Sequence, residues 1–145
     1  MPHLARQIEG LGPERQREVA VAAAVFSLAL NGLTAAAFDP QATGDDRRAR
    51  RRALDAGATR LDAVASDYRH ARPEDRAGYL ERLAKARAVR GAGLALDDDP
   101  LTAALEACYE VLTATKRGEF EGASALRIAI GGVAGPEMPS AFPLP

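Results

Sequence analysis

Apolar residues recur at helical spacing along most of the chain. In the first segment, residues 12–38, the intervals are four and three residues, which is typical of a helix packed against another helix. This seam consists of Val19, Ala23, Phe26, Leu30, Leu33 and Ala37. A second apolar face contains Val21, Val25 and Leu28. Because a helix that is apolar on two sides is typical of the centre of a bundle, we expect this segment there.

Three further segments, residues 43–70, 73–91 and 99–116, each have one apolar stripe. The predicted inward residues are Leu54, Ala58, Leu61, Ala65 and Tyr68; then Leu80, Leu83, Ala84, Ala86 and Val89; then Leu101, Ala104, Leu105, Cys108, Leu112 and Thr115. Start signals precede them: a capping box at Thr43, proline and acids at Pro73, and a capping Asp99 before Pro100.

The ends of the chain have weaker patterns. Residues 119–131 alternate as a strand would, but no second strand is available for pairing, so we predict a fifth helix. Residues 1–11 are expected to form an N-terminal arm, and residues 136–145, with four prolines, an extended tail. The prediction is an all-α, single-domain bundle of four to five helices, with antiparallel neighbours joined by short loops.

The run Val19–Phe38 has 20 residues without a charge, which is long enough to cross a membrane. Ser27, Asn31, Gly32 and Thr34 dilute its apolar character, and no tryptophan or tyrosine flanks it. We therefore expect a helix buried in protein, and we do not expect a membrane partner.

Composition narrows the possible functions. The 145 residues have a net charge of -1, which gives no overall attraction to nucleic acid or anionic lipid. Alanine supplies 32 of the 68 apolar residues, so close helix contacts must replace large side chains. The single cysteine excludes an internal disulfide and agrees with a cytoplasmic location. Arginine outnumbers lysine 17 to 2, which indicates a GC-rich, bacterial genome.

Arginine is concentrated at the start of the second segment. Helical spacing places Arg47, Arg48, Arg51 and Arg52 on one broad stripe, which could bind phosphates or carboxylates. The alternative is a solvated face whose arginines pair with acids. Without interleaved aromatic residues or a helix-turn-helix pattern, nucleic-acid binding is the least favoured of the functions considered.

For the aspartates at 97–99 and for Cys108, we favour a structural role over a catalytic or metal-binding one. Residues 97–99 are three aspartates, but they precede a proline at a predicted helix start and lack the EF-hand spacing, so we interpret them as caps. Cys108 lies on an apolar stripe, where cysteine behaves as a small hydrophobe. We therefore expect no metal, no cofactor and no catalytic residue.

Asn31 is the main polar interruption of the first segment. A buried asparagine needs a hydrogen-bond partner, which a second copy of the chain or a bound ligand could supply. The ligand-binding alternative is a bundle cavity lined by Ser27, Asn31, Tyr68, His70, Tyr79 and Tyr109. His70 would be the first candidate for acid or base chemistry there, although at a helix end it also compensates the helix dipole.

The leading functional hypothesis is a non-enzymatic interaction or scaffold protein. We expect it to form a homodimer through the alanine-rich face of the first segment and the proline tail. A monomer that buries two faces of this helix would have few of its 36 larger apolar residues left to pack the outer helices. A further protein partner is compatible with this hypothesis. The alternatives, in order, are a small-molecule binder or small enzyme with a pocket near Asn31, and an arginine-patch nucleic-acid binder.

Overall fold

The computed structural model describes residues 2–114, and this part of the chain is a bundle of five α-helices. The helices are α1 (Pro2–Glu9), α2 (Pro13–Leu30), α3 (Gly44–Ala71), α4 (Arg76–Leu94) and α5 (Pro100–Ala114). No strand occurs among the described residues, so the all-α, single-domain prediction is confirmed. The predicted helix at 119–131 and the extended tail at 136–145 lie outside the described residues.

The N-terminal residues form a helix, so the prediction of an arm at residues 1–11 was wrong. Leu4 and Ile8, one helical turn apart, are both buried in the core. The carbonyl of Ile8, at the end of α1, accepts a hydrogen bond of 3.1 Å from the side chain of Gln16. Burial of two large apolar residues stabilises this short helix, which would be marginal in isolation.

The second helix ends at Leu30, eight residues before the predicted end of the first segment at Phe38. Gly32 has a φ of 64°, and its N–H donates to Ala29, while the N–H of Leu33 donates to Leu28. These two bonds form a Schellman motif, which closes a helix at a left-handed glycine. The chain then runs through residues 31–43, a long connection where short loops were expected.

One face of α2 is buried, not two. Val19, Ala20, Ala23 and Ala24 are at most 1% exposed and pack within the core, whereas Val25 is 50% exposed. The helix contacts α1, α4 and α5, so it shares the centre of the fold with α4, which contacts α2, α3 and α5. None of the described helices has the length and apolarity that crossing a membrane requires.

α3 and α4 form an antiparallel hairpin in which glycines of α4 lie against side chains of α3. A Cβ atom on Gly93 would lie 3.4 Å from Leu54 Cβ near one end, and a Cβ on Gly78 would lie 2.8 Å from the ring of Tyr68 near the other. The helix α4 starts at Arg76 because Asp75 caps it, not at the predicted Pro73, and it continues past Gly91 to Leu94. The glycines predicted to end it instead allow neighbouring helices to approach.

Two regions of the described chain differ in their packing. We call residues 2–56 and 88–114 the proximal bundle, which contains every buried member of the core cluster. We call residues 57–87 the distal hairpin, whose buried apolar residues are four alanines: Ala58, Ala65, Ala84 and Ala86. Leu61, Leu83 and Tyr68, predicted to face inward, are only half-buried here, and Leu80 is 39% exposed.

Candidate functional site

The arginine cluster at the start of α3 is paired with acids of the same chain. Arg51 lies 2.8 Å from a carboxylate oxygen of Asp97, and Arg48 lies 3.0 Å from one of Asp98. Arg47 is 3.8 Å from the other oxygen of Asp98. The hydrogen bond from Arg48 holds the pKa of Asp98 below its ordinary value. These pairs connect α3 to the α4–α5 loop and compensate three of the four arginines proposed as an anion site; the fourth, Arg52, is exposed.

The α4–α5 loop is also held by hydrogen bonds from α2. Arg17 of α2 donates to the backbone carbonyls of Ala95, Asp97 and Asp98 at 3.1, 2.6 and 3.1 Å, and burial lowers its pKa. Asp99 caps α5 by accepting bonds of 2.8 Å and 2.6 Å from the N–H and hydroxyl of Thr102. The three aspartates therefore hold the loop, and residues 2–114 contain no cluster of side chains that could hold a metal ion.

The six residues of the predicted ligand pocket lie in separate places. The amide nitrogen of Asn31 donates 2.8 Å to the carbonyl of Ser27 on its own helix, so a second copy is not required to satisfy it. The hydroxyl of Ser27 is buried and has no hydrogen-bond partner among the residues that the structure describes. Tyr109 is 51% exposed on α5. Tyr68, His70 and Tyr79 lie near the turn of the distal hairpin, where His70 and Tyr79 line one groove and Tyr68 does not.

Cys108 is a core residue, as its position on the apolar stripe predicts. It is fully buried on α5, and burial raises the pKa of its thiol to about 12. A thiol that stays protonated at neutral pH is a poor nucleophile and a poor metal ligand.

Polar side chains hold the tip of the distal hairpin together. The Tyr68 hydroxyl donates to the carboxylate of Asp75, which also accepts a 2.9 Å bond from the N–H of Gly78. The hydrogen bond from Tyr68 lowers the pKa of Asp75, and the same bond raises the pKa of Tyr68. Arg82 stacks over the Tyr68 ring, 3.6 Å from its centroid. This network fixes the turn between α3 and α4.

A groove of about 640 Å³ lies on one side of the hairpin near this turn, and we call it the tip groove. It is lined by Asp62, Ala65, Ser66, Arg69, His70, Pro73, Tyr79 and Leu83. Asp62 is paired with Arg90 at 2.7 Å. Arg69 lies over the Tyr79 ring, 5.3 Å from its centroid. His70 and Tyr79, two of the six predicted pocket residues, thus line the same groove.

The ring of His70 is oriented by its own helix. Its Nδ1 lies 2.7 Å from the carbonyl oxygen of Ser66. Because a carbonyl only accepts, Nδ1 must carry hydrogen, and in the neutral ring Nε2 is then the acceptor. The imidazole could act as a base or as an anion ligand through Nε2, but among the described residues no nucleophile or carboxylate is hydrogen-bonded to it.

The surface of α3 opposite α4 has a regular pattern that we call the outer face of α3. It consists of Ala49, Ala53, Ala56, Arg60, Ala63 and Asp67, at intervals of four and three residues. All six are exposed. Among the described helices α3 contacts α4 alone, and three of its 28 residues are buried. The outer face has the spacing of a helix-packing seam and no neighbouring helix in the described chain.

No family model, curated protein or solved structure matches the chain.

The outer face of α3 was not predicted from the sequence, although the four-and-three spacing of its residues is present there. The seam is built from alanine, arginine and aspartate, so it has little hydropathy contrast with the rest of a charged helix. It becomes visible only when the inward stripe through Leu54, Ala58 and Ala65 is assigned to α4, because the remaining exposed alanines then have no neighbouring helix among residues 2–114.

Proposed function

We propose that the protein is a non-enzymatic, self-associating helical protein in which two copies pair through the outer face of α3. The observation that supports this proposal is a 28-residue helix, about 42 Å long, that packs on one of the other described helices and has a second seam at heptad-like spacing. A helix surface that faces only solvent has no packing partner and therefore no requirement for small residues at intervals of four and three.

The residues of the seam favour a close helix pair. Ala56 and Ala63, the seam alanines nearest Arg60, have small side chains, so two α3 axes can approach to about 8 Å, the short end of helix-packing distances. Val64, 52% exposed, borders the seam and would be covered by the second copy. Burial of these methyl groups on both copies is the favourable term of the association.

The two charges of the seam select the orientation of the pair. In a parallel pair, Arg60 would lie beside Arg60 of the second copy, and Asp67 beside Asp67. In an antiparallel pair with its axis near Ala63, each Arg60 lies within reach of Asp67 on the other copy. Two-fold symmetry produces this contact twice. Like charges would destabilise the parallel pair, so we propose the antiparallel one.

This interface differs from the one predicted from the sequence. The alanine-rich face of α2 packs within its own chain, and Asn31 is bonded to Ser27, so neither is available for the dimer. The proline tail lies outside the described residues. A cytoplasmic, bacterial setting stays part of the proposal because it agrees with the single cysteine and the arginine-rich composition.

A charge swap tests this function. We expect the unmodified protein to be a dimer at tens of micromolar by light scattering after size-exclusion chromatography. Arg60→Asp alone, or Asp67→Arg alone, should weaken association at least tenfold, because each substitution places like charges together at two symmetric contacts. The double variant Arg60→Asp with Asp67→Arg should restore the dimer.

Arg76→Asp is the matched control, since Arg76 is an exposed arginine on α4 outside the seam. It should leave the molar mass unchanged, with circular dichroism confirming that every variant is folded. A monomeric unmodified protein, or single variants that associate as well as the parent, would contradict the proposal.

A further inference from the structure

We infer that the tip groove binds a small organic anion, with a carboxylate or phosphate held by Arg69 and His70 and an apolar body lying against the Tyr79 side of the groove. This inference does not depend on pairing through α3, because none of the six residues of the outer face of α3 lines the tip groove. The groove's volume of about 640 Å³ is in the range of small-molecule sites.

The charge that the groove presents is positive. Its one acidic residue, Asp62, is compensated by Arg90, which lies 2.7 Å away. Arg69, in contrast, has no carboxylate within ion-pair distance among residues 3–112, and its guanidinium lies over the Tyr79 ring. The N–H donors of a guanidinium lie in its own plane, so an arginine placed over a ring face can still bind a carboxylate or phosphate in bidentate fashion.

His70 adds a second, oriented group. Its bond to the carbonyl of Ser66 uses Nδ1 and fixes the ring on the last turn of α3, so that Nε2 is left for a ligand. A protonated imidazole would donate from Nε2 to the anion, and a neutral one would accept from a protonated ligand. Arg69 and His70 are adjacent on α3 and line the same groove, so a single anion can contact both.

The rest of the lining selects an apolar body for the ligand. Ala65, Pro73, Leu83 and the ring of Tyr79 supply hydrophobic surface beside the two cationic side chains. Ligand sites commonly combine an apolar wall with a few placed polar groups. An aromatic or branched aliphatic acid, or a phosphate monoester of similar size, fits this combination of surfaces.

The test uses benzoate and phenyl phosphate as anionic probes and benzamide as the neutral probe of the same shape. Each is titrated into the ¹⁵N-labelled 145-residue protein, and amide resonances are followed by NMR. We expect both anions, or one of them, to shift resonances of residues 62–83 in a saturable manner, with benzamide at least tenfold weaker. The anion with the higher affinity assigns the carboxylate or phosphate preference.

Two variants separate the proposed site from general attraction of anions to a basic surface. Arg69→Gln should weaken binding of the preferred anion at least fivefold, while Arg72→Gln, an exposed arginine outside the lining, should change it less than twofold. The inference is overturned if neither anion shifts these resonances, if benzamide binds equally well, or if both arginine variants behave alike.

Discussion

The two ends of the α3–α4 hairpin are held together by different kinds of contact. At the proximal end, alanines from α2, α4 and α5 pack among larger side chains such as Ile8, Val19 and Leu54 in one continuous core. At the distal end, the buried apolar residues are all alanine, and a polar network through Tyr68 and Asp75 fixes the turn. The proximal bundle therefore supplies most of the stability, and the distal hairpin supplies exposed surface.

This difference explains how a chain with few large apolar residues folds: its core is confined to the proximal bundle. Alanine contributes little buried area per residue, so a stable core needs several helices packed closely around it. That condition is met in the proximal bundle, where four helices contribute to the core cluster together with α3 through Leu54. It is not met in residues 57–87, where α3 and α4 contribute no buried residue to the core cluster.

The largest expected effect compares the same substitution in the two regions. Leu54→Ala, at a residue 3% exposed in the core, should lower the free energy of unfolding by about 2–5 kcal/mol. Leu61→Ala, two turns further along α3 at a half-buried site, should lower it by about 1 kcal/mol. Urea denaturation followed by circular dichroism measures both. Equal losses would show that the core extends into the distal hairpin.

A smaller effect is expected at two glycines within the distal hairpin. A Cβ on Gly78 would lie 2.6 Å from the Tyr68 hydroxyl oxygen. Gly78→Ala should therefore displace Tyr68 from Asp75 and lower the free energy of unfolding by about 1–3 kcal/mol. A Cβ on Gly57 would lie 3.7 Å from the nearest Val89 atom, an ordinary contact. Gly57→Ala should therefore stabilise the protein by about 0.4–1 kcal/mol through helix propensity. Thermal unfolding of both variants measures the difference, and a neutral Gly78→Ala would contradict the packing at the tip.

The smallest effect is a local dependence on pH at the tip. The pKa of Asp75 is lowered in the folded protein by the hydrogen bond from Tyr68, so its contribution is present above the unfolded pKa of about 4 and is lost as pH falls through the folded pKa. The pKa of Tyr68 is raised, so its contribution is lost at the other extreme, as pH rises beyond about 10.

Amide hydrogen exchange at Gly78 measures the acid limb of this dependence. After correction for the intrinsic exchange rate, protection of the Gly78 amide should decrease below about pH 4, whereas core amides of α2 should stay protected. In Asp75→Asn this acid limb should be absent. Acid-sensitive protection that persists in the variant would show that another group stabilises the turn.

Helical periodicity predicts the existence and order of α2, α3, α4 and α5, because each has an apolar stripe long enough to read. The end of α2 could have been predicted from Asn31 and Gly32, since a left-handed glycine closes a helix more directly than the distant Pro40. The short α1 could not, because only Leu4 and Ile8 signal it, and their burial depends on tertiary packing against the core.

The candidate site was predictable only in part. His70 and Tyr79 are both predicted pocket residues in the sequence, but their proximity depends on the turn that places α4 beside the end of α3. The pairing of Arg47, Arg48 and Arg51 with residues 97–98 joins positions far apart in sequence, so no local pattern could reveal it. Ser27 and Asn31 were grouped with the tyrosines on polarity alone, which carries no distance information.

Oxidative cross-linking of a single introduced cysteine is the most direct test that α3 pairs with α3 of a second copy. Ala63→Cys places a thiol near the proposed two-fold axis, while the native Cys108 is fully buried and, with a pKa of about 12, unreactive. Ala77→Cys, an exposed alanine on α4, is the control. A covalent dimer from Ala63→Cys but not from Ala77→Cys is the predicted result, and equal cross-linking of the two, or none, would contradict pairing through the outer face of α3.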